Sequence, residues 1–490
     1  MFQSPVTSKL LHSNTRNINT DRLIFKHFKN IEDMEKARIS IIGTGFVGLV
    51  TAVCFADRGI KTICSTRNVK NAELINKGIA PFYEQGLSEL LEKVVKAGNL
   101  VCTTSRDEAV MKSDISLIIV GTPFNHVDKS INLDYMRQAG EDIGKSLVNK
   151  DDYHLVVVRS TVVPGTSRNM VGKALIENSG KQIGKNIGLC MQPEFLAEGR
   201  SIEDTFWPDR IIIGEYDEQS GTVLQELYEE FYGEHIGEKC PILRMNIESA
   251  ELVKYGNNCF LAAKISFINE LAKIAELVPG VDIGLVAKGV GLDYRINHRF
   301  LGSGLGWGGS CFPKDVNAIM AFARQRGLEP QILQGVVDVN DRAALHAISL
   351  AKEMIGSLEG KTLSLLGLAF KPGTDDMRYA PSRRIASEAT KEGAIVKGYD
   401  PKAKESAEIA FKEDGTNITL VESVEDVLKD SDCAIICAEW DEFKSLQPEF
   451  FEKHMKKPCV VDGRRIYNPN EFDKKIDYRI IGLTVPKSLE

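Results

Sequence analysis

The chain has 490 residues, 43% hydrophobic and 26% charged, with a net charge of -7; this supports two to four packed domains and excludes a broad basic surface for nucleic acid. No run reaches the ~18 apolar residues of a membrane span, and no apolar h-region follows the N-terminus, so a soluble cytoplasmic protein without membrane partners is expected. The ten cysteines show neither CxxC nor Cys/His metal spacing; all but Cys311 read as core thiols of a reducing compartment, and no metal is expected.

Residues 1–33 read as a disordered extension, or as a start placed upstream of Met34. Up to Ile31 their only acid is Asp21, against Lys9, Arg16, Arg22, Lys26 and Lys29, which also gives them some organelle-targeting character. From Ala37 to about Pro241, short runs such as "RISIIG", "KTICS", "ISLIIVGTP", "LVVVRST", "NIGLCMQP" and "RIIIG" alternate with helical stretches, the signature of βαβ units and a mostly parallel sheet. Residues 34–241 are therefore expected to form an NAD(P)-binding Rossmann domain. Gly43, Gly45 and Gly48, with Phe46 and Val47 between them, form GxGxxG after the strand "RISII" and before a helix. The first glycine permits the tight turn, the second lets backbone approach a pyrophosphate, and the third allows close helix–strand packing. An acid about 20 residues further on should hold the adenosine ribose, but "KTICS" is followed by Thr66, Arg67 and Asn68. Two readings stay open: a hydroxyl and an arginine that accommodate the 2′-phosphate of NADP, or Arg67 stacked on adenine while NAD binds through other contacts.

Further along, "STVVPGT" (160–166) and "QPEFLAEG" (192–199) follow apolar strands and place Thr161, Glu194 and Glu198 at strand ends where open α/β sheets bind ligands. Residues 246–278 show helical spacing over a length of ~45 Å, apolar on so many sides that burial between domains or subunits is expected. With 242–345 they form a central helical domain and the core of a homodimer. Lys254 and Asn258 lie four apart on this helix and share a face. Cys311 and Asp315 repeat that spacing where "GLGWGGSCFPKD" opens another helix, and the helix N-terminus should lower the pKa of the lone thiol. A second βαβ series begins with "KTLSLLGLAF" and runs to "YRIIGLTV", giving a smaller doubly wound domain over 346–490. The fold class is thus α/β: two Rossmann-like doubly wound domains joined by a long central helix and a small helical domain.

The ordered set "GTGFVGLV", "GIAPFYEQGL", "GTP" (121–123), "STVVPGT", "QPEFLAEG", "PDRIIIG", "ELVKYGNN", "KISFINE", "GGSCFPKD", "GLAFKPGTDDMR" and "DGRR" resembles the UDP-glucose/GDP-mannose dehydrogenases from about Arg38 to Val485. "GGSCFPKD" preceded by "RFLGSGLGW" looks most like the UDP-glucose branch. The branch acting on N-acetylated hexosamines usually carries histidine where Ser310 stands, whereas the GDP-mannose branch shares the cysteine.

The resemblance implies NAD as cofactor, UDP-glucose as substrate, and two successive hydride transfers. Cys311 would hold the aldehyde as a thiohemiacetal and then a thioester that water releases as the acid. It further implies that Lys254 stabilises oxyanions, that Asp315, Asn258 and Thr161 position a water, and that Glu194 is the base for thioester hydrolysis. Thr122, Pro123, Glu198, Lys314 and Arg378 would face the cofactor together with Thr66 and Arg67. Phe195, Leu196, Glu198, Phe300, Gly308, Phe312, Phe370, Lys371 and Arg464 would line the sugar-nucleotide slot, and Arg295 would reach it from a partner subunit. Two residues depart from the family pattern: Thr66 replaces its usual aspartate and Gln192 its usual asparagine. A GDP-mannose 6-dehydrogenase and a non-catalytic nucleotide-sugar binding protein are the alternatives. Intact Cys311, Lys254 and Asp315 oppose the second.

Overall fold

The computed structural model describes residues 37–237 and 239–484; the expected N-terminal extension, 1–33, lies outside them. The first sheet comprises β1 (Ala37–Ile42), β2 (Thr62–Ser65), β3 (Leu100–Thr103), β4 (Ser113–Ile118), β5 (His154–Val158), β6 (Ile187–Met191), β7 (Ile211–Glu215) and β8 (Ile242–Asn246). Its order is β3-β2-β1-β4-β5-β6-β7-β8, parallel through β6, with β7 antiparallel to β6 and β8 parallel to β7. Helices cover both faces, so central strands such as "HLVVV" are buried along their whole length and read as unbroken apolar runs. The order reverses between β1 and β4, and a ligand crevice opens at the carboxyl ends of the strands at such a switch point. Helix α1 (Phe46–Asp57) follows β1, and α2 (Val69–Asn76) follows β2.

The second sheet repeats this plan with β9 (Thr362–Leu366), β10 (Ile395–Tyr399), β11 (Ile418–Leu420), β12 (Cys433–Ile436), β13 (Cys459–Asp462) and β14 (Asp477–Ile480). The order is β11-β10-β9-β12-β13-β14, parallel throughout. The α/β class and its two doubly wound sheets are as expected. The strands β3, β8 and β11 were not anticipated, and all three lie at sheet edges. Edge strands are short and carry weak apolar patterning because one flank has no neighbour.

Between the sheets runs the helix Ile247–Ala275, N-capped by Asn246, whose side chain accepts from the Ser249 N–H. At 29 residues it is about 43 Å long. Ile268 and Ala272 pack into one core with Leu363 and Leu365 of the second sheet. The helix Gln331–Ile355 lies beside it, joined by a 2.8 Å bond from Ser266 Oγ to the Val336 carbonyl, and runs through the expected 345/346 boundary. Among the described residues no helix is long and apolar enough to cross a membrane.

Candidate active site

The glycine loop after β1 divides its three roles as its spacing implies. Gly43 has φ +114, and a Cβ there would lie 2.4 Å from the Ile119 carbonyl oxygen. A Cβ on Gly48 would lie 2.1 Å from the Gly43 carbonyl oxygen, whereas nothing lies within 4 Å of one on Gly45. The open face is therefore at Gly45, the N-cap of α1, which has no side-chain cap; free helix N–H groups beside an open glycine suit a pyrophosphate. Phe46 and Val47 begin α1, and the Phe46 ring lies 5.6 Å from that of Phe82. Across the switch point, Thr122 and Pro123 line a cleft of about 1320 Å³ together with Ser310, Lys314 and Arg378. The residues present thus fit a dinucleotide.

Cys311 occupies the N-cap position of the helix Phe312–Arg324 and is exposed, next to Ser310 at the cleft wall. The other nine cysteines are buried. Beneath it, Asp315 accepts from Asn258 Nδ2 at 2.6 Å and pairs with Lys314, so the two four-residue spacings do meet. Lys254, 4% exposed, lies 3.0 Å from Glu194 Oε1 and donates to the Glu194 carbonyl at 2.7 Å. Burial alone would lower the Lys254 ammonium, but Glu194, Asp315 and Cys311 outweigh it and hold the pKa above its ordinary value. Burial likewise pushes Glu194 up, but Lys254 and the Leu196 N–H prevail and hold the carboxyl below the usual range. As placed, Glu194 is a weak base and chiefly a partner for Lys254.

Glu198 is the opposite case. Burial and the neighbouring Asp376 carboxylate, opposed by Arg378 and Lys371, raise its pKa to about 7. Its Oε1 faces Ser310 Oγ at 3.3 Å and Arg378 at 3.4 Å, while its buried Oε2 has no hydrogen-bond partner among the described residues. Ser310 Oγ lies 3.5 Å from Cys311 Sγ, so one hydroxyl bridges the thiol and a carboxyl that titrates near neutrality. The expectation of a lowered thiol pKa is corrected here: burial first, then Asp315 and Glu194, push the Cys311 thiol up, against Lys254 and Ser310.

The glycines before Cys311 serve a contact different from the one their position suggested. A Cβ on Gly308 would lie 2.3 Å from the Tyr379 carbonyl oxygen, one on Gly309 would strike the Phe370 ring at 2.9 Å, and the Gly309 N–H donates to the Arg378 carbonyl. The close approach is to the 370–379 loop of the second sheet. Lys371 donates to the Glu198 carbonyl at 2.6 Å. Arg464 donates to the carbonyls of Cys437, Gly306 and Phe370. Phe312 lies 6.4 Å, ring to ring, from both Phe300 and Trp307, and Phe195 carries Arg210 at 4.0 Å on its face.

Two expected site residues stand apart. Arg295 is exposed and paired with Asp293, away from the cluster in its own chain. Thr161, half-buried after β5, makes no side-chain hydrogen bond to Asp315 or Asn258 among the described residues. Gln192 accepts from Arg159 and donates to the Pro193 carbonyl, so the longer amide reaches a buried guanidinium. Sequence reasoning missed Glu84, whose buried carboxylate accepts from the N–H groups of Gly199 and Ser201 and from Ser201 Oγ; it anchors the loop that carries Glu198. "GIAPFYEQGL" contained it, but nothing in that stretch tells what the acid binds.

The chain is similar to known proteins over most of its length. Residues 37–232 match the NAD binding domain of the UDP-glucose/GDP-mannose dehydrogenase family, 248–342 its central domain and 364–469 its UDP binding domain. The chain is 41% identical over 433 residues to the UDP-glucose 6-dehydrogenase AglM of Haloferax volcanii, covering 88% of this chain and 98% of that one. With TuaD of Bacillus subtilis, also a UDP-glucose 6-dehydrogenase, identity is 36% over 436 residues, covering 89% and 90%. The solved UDP-glucose dehydrogenase of Pyrobaculum islandicum superposes with a TM-score of 0.82 at 37% identity, covering 92% of this chain and 98% of that one.

Proposed function

Because the chain belongs to the UDP-glucose/GDP-mannose dehydrogenase family, we propose that it is a UDP-glucose 6-dehydrogenase, oxidising the C6 alcohol in two steps to the carboxylate of UDP-glucuronate. The observation that carries this reading is the lone open thiol of Cys311 set over the buried Lys254–Glu194 and Asn258–Asp315 pairs. A dinucleotide at the glycine loop, of the NAD type that names the matched domain, would supply the hydride acceptor for one oxidation and a second, exchanged into the same place, that for the other.

The chain's own residues do the rest. Lys254, held cationic by Glu194, stabilises the alkoxide of the first step and the oxyanion of each tetrahedral state. Cys311 adds to the aldehyde and keeps it bound. Its thiol is protonated at neutral pH and must lose that proton on addition; Ser310 Oγ passes it to Glu198, whose pKa of about 7 is matched to the task. The Asn258–Asp315 pair orients the hydrolytic water, and Glu198, once it has released the thiol's proton to solvent, takes a proton from that water as base for thioester hydrolysis, the role that the resemblance gave to Glu194. By the resemblance, Thr161, which follows β5, joins this pair in holding the water. Lys371, Arg464, Phe195, Leu196, Phe300, Gly308, Phe312 and Phe370 form the walls of the sugar-nucleotide slot, while Lys314, Arg378, Thr122 and Pro123 face the dinucleotide.

The division 34–241, 242–345 and 346–490 assigns cofactor, dimer and UDP-sugar functions in that order. The working unit is a homodimer. Phe260, Phe267 and Ile274, each more than half exposed, recur every seven residues along the central helix and make an apolar seam for a second copy, which would bring Arg295 to its neighbour's slot. Nine buried thiols suit a reducing cytoplasm. The test is acid formation from UDP-glucose and from GDP-mannose side by side: turnover of UDP-glucose supports the reading, and turnover of GDP-mannose alone overturns it.

A further inference from the structure

The adenosine end of the cofactor cradle is built differently from the rest of the site. A Rossmann domain selects NAD with a carboxylate at the end of its second strand, which hydrogen-bonds the ribose 2′-hydroxyl, and would repel a phosphate there. Here β2 ends in Ser65, followed by Thr66, Arg67 and Asn68. Thr66 Oγ1 accepts from the Asn68 N–H at 3.3 Å, which holds the turn, and Asn68 caps α2 by accepting from the Asn71 N–H. The exposed Arg67 guanidinium lies 5.8 Å from the Tyr135 ring centre, with no carboxylate partner among the described residues. Lys70 stands in the first turn of α2.

A second cation supports the same charge balance. Arg106, which follows β3, is paired with Asp142, and its Nε is buried without a hydrogen-bond partner among the described residues. It lies near enough to Arg67 for the two guanidinium charges to oppose each other. Glu108, in the first turn of the helix that Arg106 begins, is already bound by Thr103 Oγ1 at 2.9 Å, and its N–H donates to the capping Ser105. Arg67 and Arg106 thus bring two guanidinium charges close together with one paired carboxylate, Asp142, and Lys70 adds a third cation in the first turn of α2. Such a set of charges favours a dianion over a neutral hydroxyl.

We infer that the rim formed by Thr66, Arg67 and Lys70 at the end of β2 is a 2′-phosphate subsite, so that NADP occupies this cradle more tightly than NAD. The inference rests on the dinucleotide-dehydrogenase reading above, but not on which sugar is oxidised. Arg67 binds the phosphate through its planar fork, with one face against Tyr135 and the other towards the adenine.

The test is calorimetric titration of the full chain with 2′,5′-ADP and with 5′-AMP, fragments that differ only by the 2′-phosphate and need no turnover. The expected result is at least about tenfold tighter binding of 2′,5′-ADP, with a ratio that falls towards unity in Arg67→Ala and reverses in Thr66→Asp. Equal or tighter binding of 5′-AMP by the unaltered chain overturns the inference and leaves the dehydrogenase reading intact. An equal loss of both fragments in Arg67→Ala also overturns it, since Arg67 would then serve the adenine alone. Failure of both fragments to bind the unaltered chain would overturn the dinucleotide reading itself.

Discussion

At the scale of single residues, two glutamates four apart have opposite electrostatics. Glu194 is held ionised by Lys254, whereas Glu198 is pushed up to about 7 by burial and Asp376. For Lys254 the folded pKa is raised, so its contribution is present below its unfolded pKa and is lost as pH rises through the folded value; for Glu194 the folded pKa is depressed, so its contribution is lost as pH falls through the folded value. The pair therefore stabilises the fold across neutrality. Lys254→Met leaves the Glu194 carboxylate buried and alone. Chemical denaturation at pH 7 should show a loss of about 3–5 kcal/mol, with acid formation lowered by a further factor through the missing cation.

Glu198 behaves in reverse. A carboxyl raised from 4.5 to about 7 keeps its proton in the folded state while the unfolded chain releases it. Stability thus falls as pH rises from about 4.5 to about 7. Glu198→Gln should gain up to about 3 kcal/mol at pH 8, as the upper limit of that difference. The same variant should lose the ionisation near pH 7 from its pH–rate profile, together with most of its activity. A profile that keeps this ionisation would exclude Glu198 as the group responsible.

At the scale of elements, the strands buried on both faces were legible because a parallel sheet covered by helices writes itself as apolar runs between turn residues. The glycine motif was legible because its strand and helix lie in contiguous sequence. The edge strands β3, β8 and β11 were not, since their short runs compete poorly with neighbouring polar residues. The partnership of Lys254 with Glu194, and that of Glu84 with residues 199–201, join segments 60 and about 115 positions apart. No spacing rule reaches across such distances. Gly308 makes the point most sharply: its sequence context suggested contact with a ligand, while its backbone meets Tyr379 in the other domain. Gly308→Ala would place a methyl 2.3 Å from that carbonyl. Forcing the two loops apart should cost about 1–3 kcal/mol in thermal or denaturant unfolding and reduce kcat more than it changes dinucleotide affinity, because it moves Cys311 and leaves the glycine loop after β1 untouched.

At the scale of the whole molecule, a sheet of eight strands and one of six both pack against the helix that carries Lys254 and Asn258, and the cysteine loop rests on the 370–379 loop of the second. The first sheet supplies the dinucleotide cradle and Glu198, the second supplies Lys371 and the loop against which the cysteine loop rests. In the proposed homodimer the apolar seam of the central helix is buried against a second copy. Phe267→Glu should shift the protein from dimer to monomer in light scattering and lower activity along with it, whereas an unchanged mass would place the dimer contact elsewhere.

In the proposed mechanism Cys311 holds the aldehyde covalently until it becomes an acid. The direct measurement is UDP-glucuronate formed per UDP-glucose consumed in a Cys311→Ser variant that retains its fold and its dinucleotide affinity. The account predicts acid formation reduced by at least about a thousandfold, with two reduced dinucleotides per acid in the unaltered enzyme. Acid produced by the variant at an undiminished rate would contradict it.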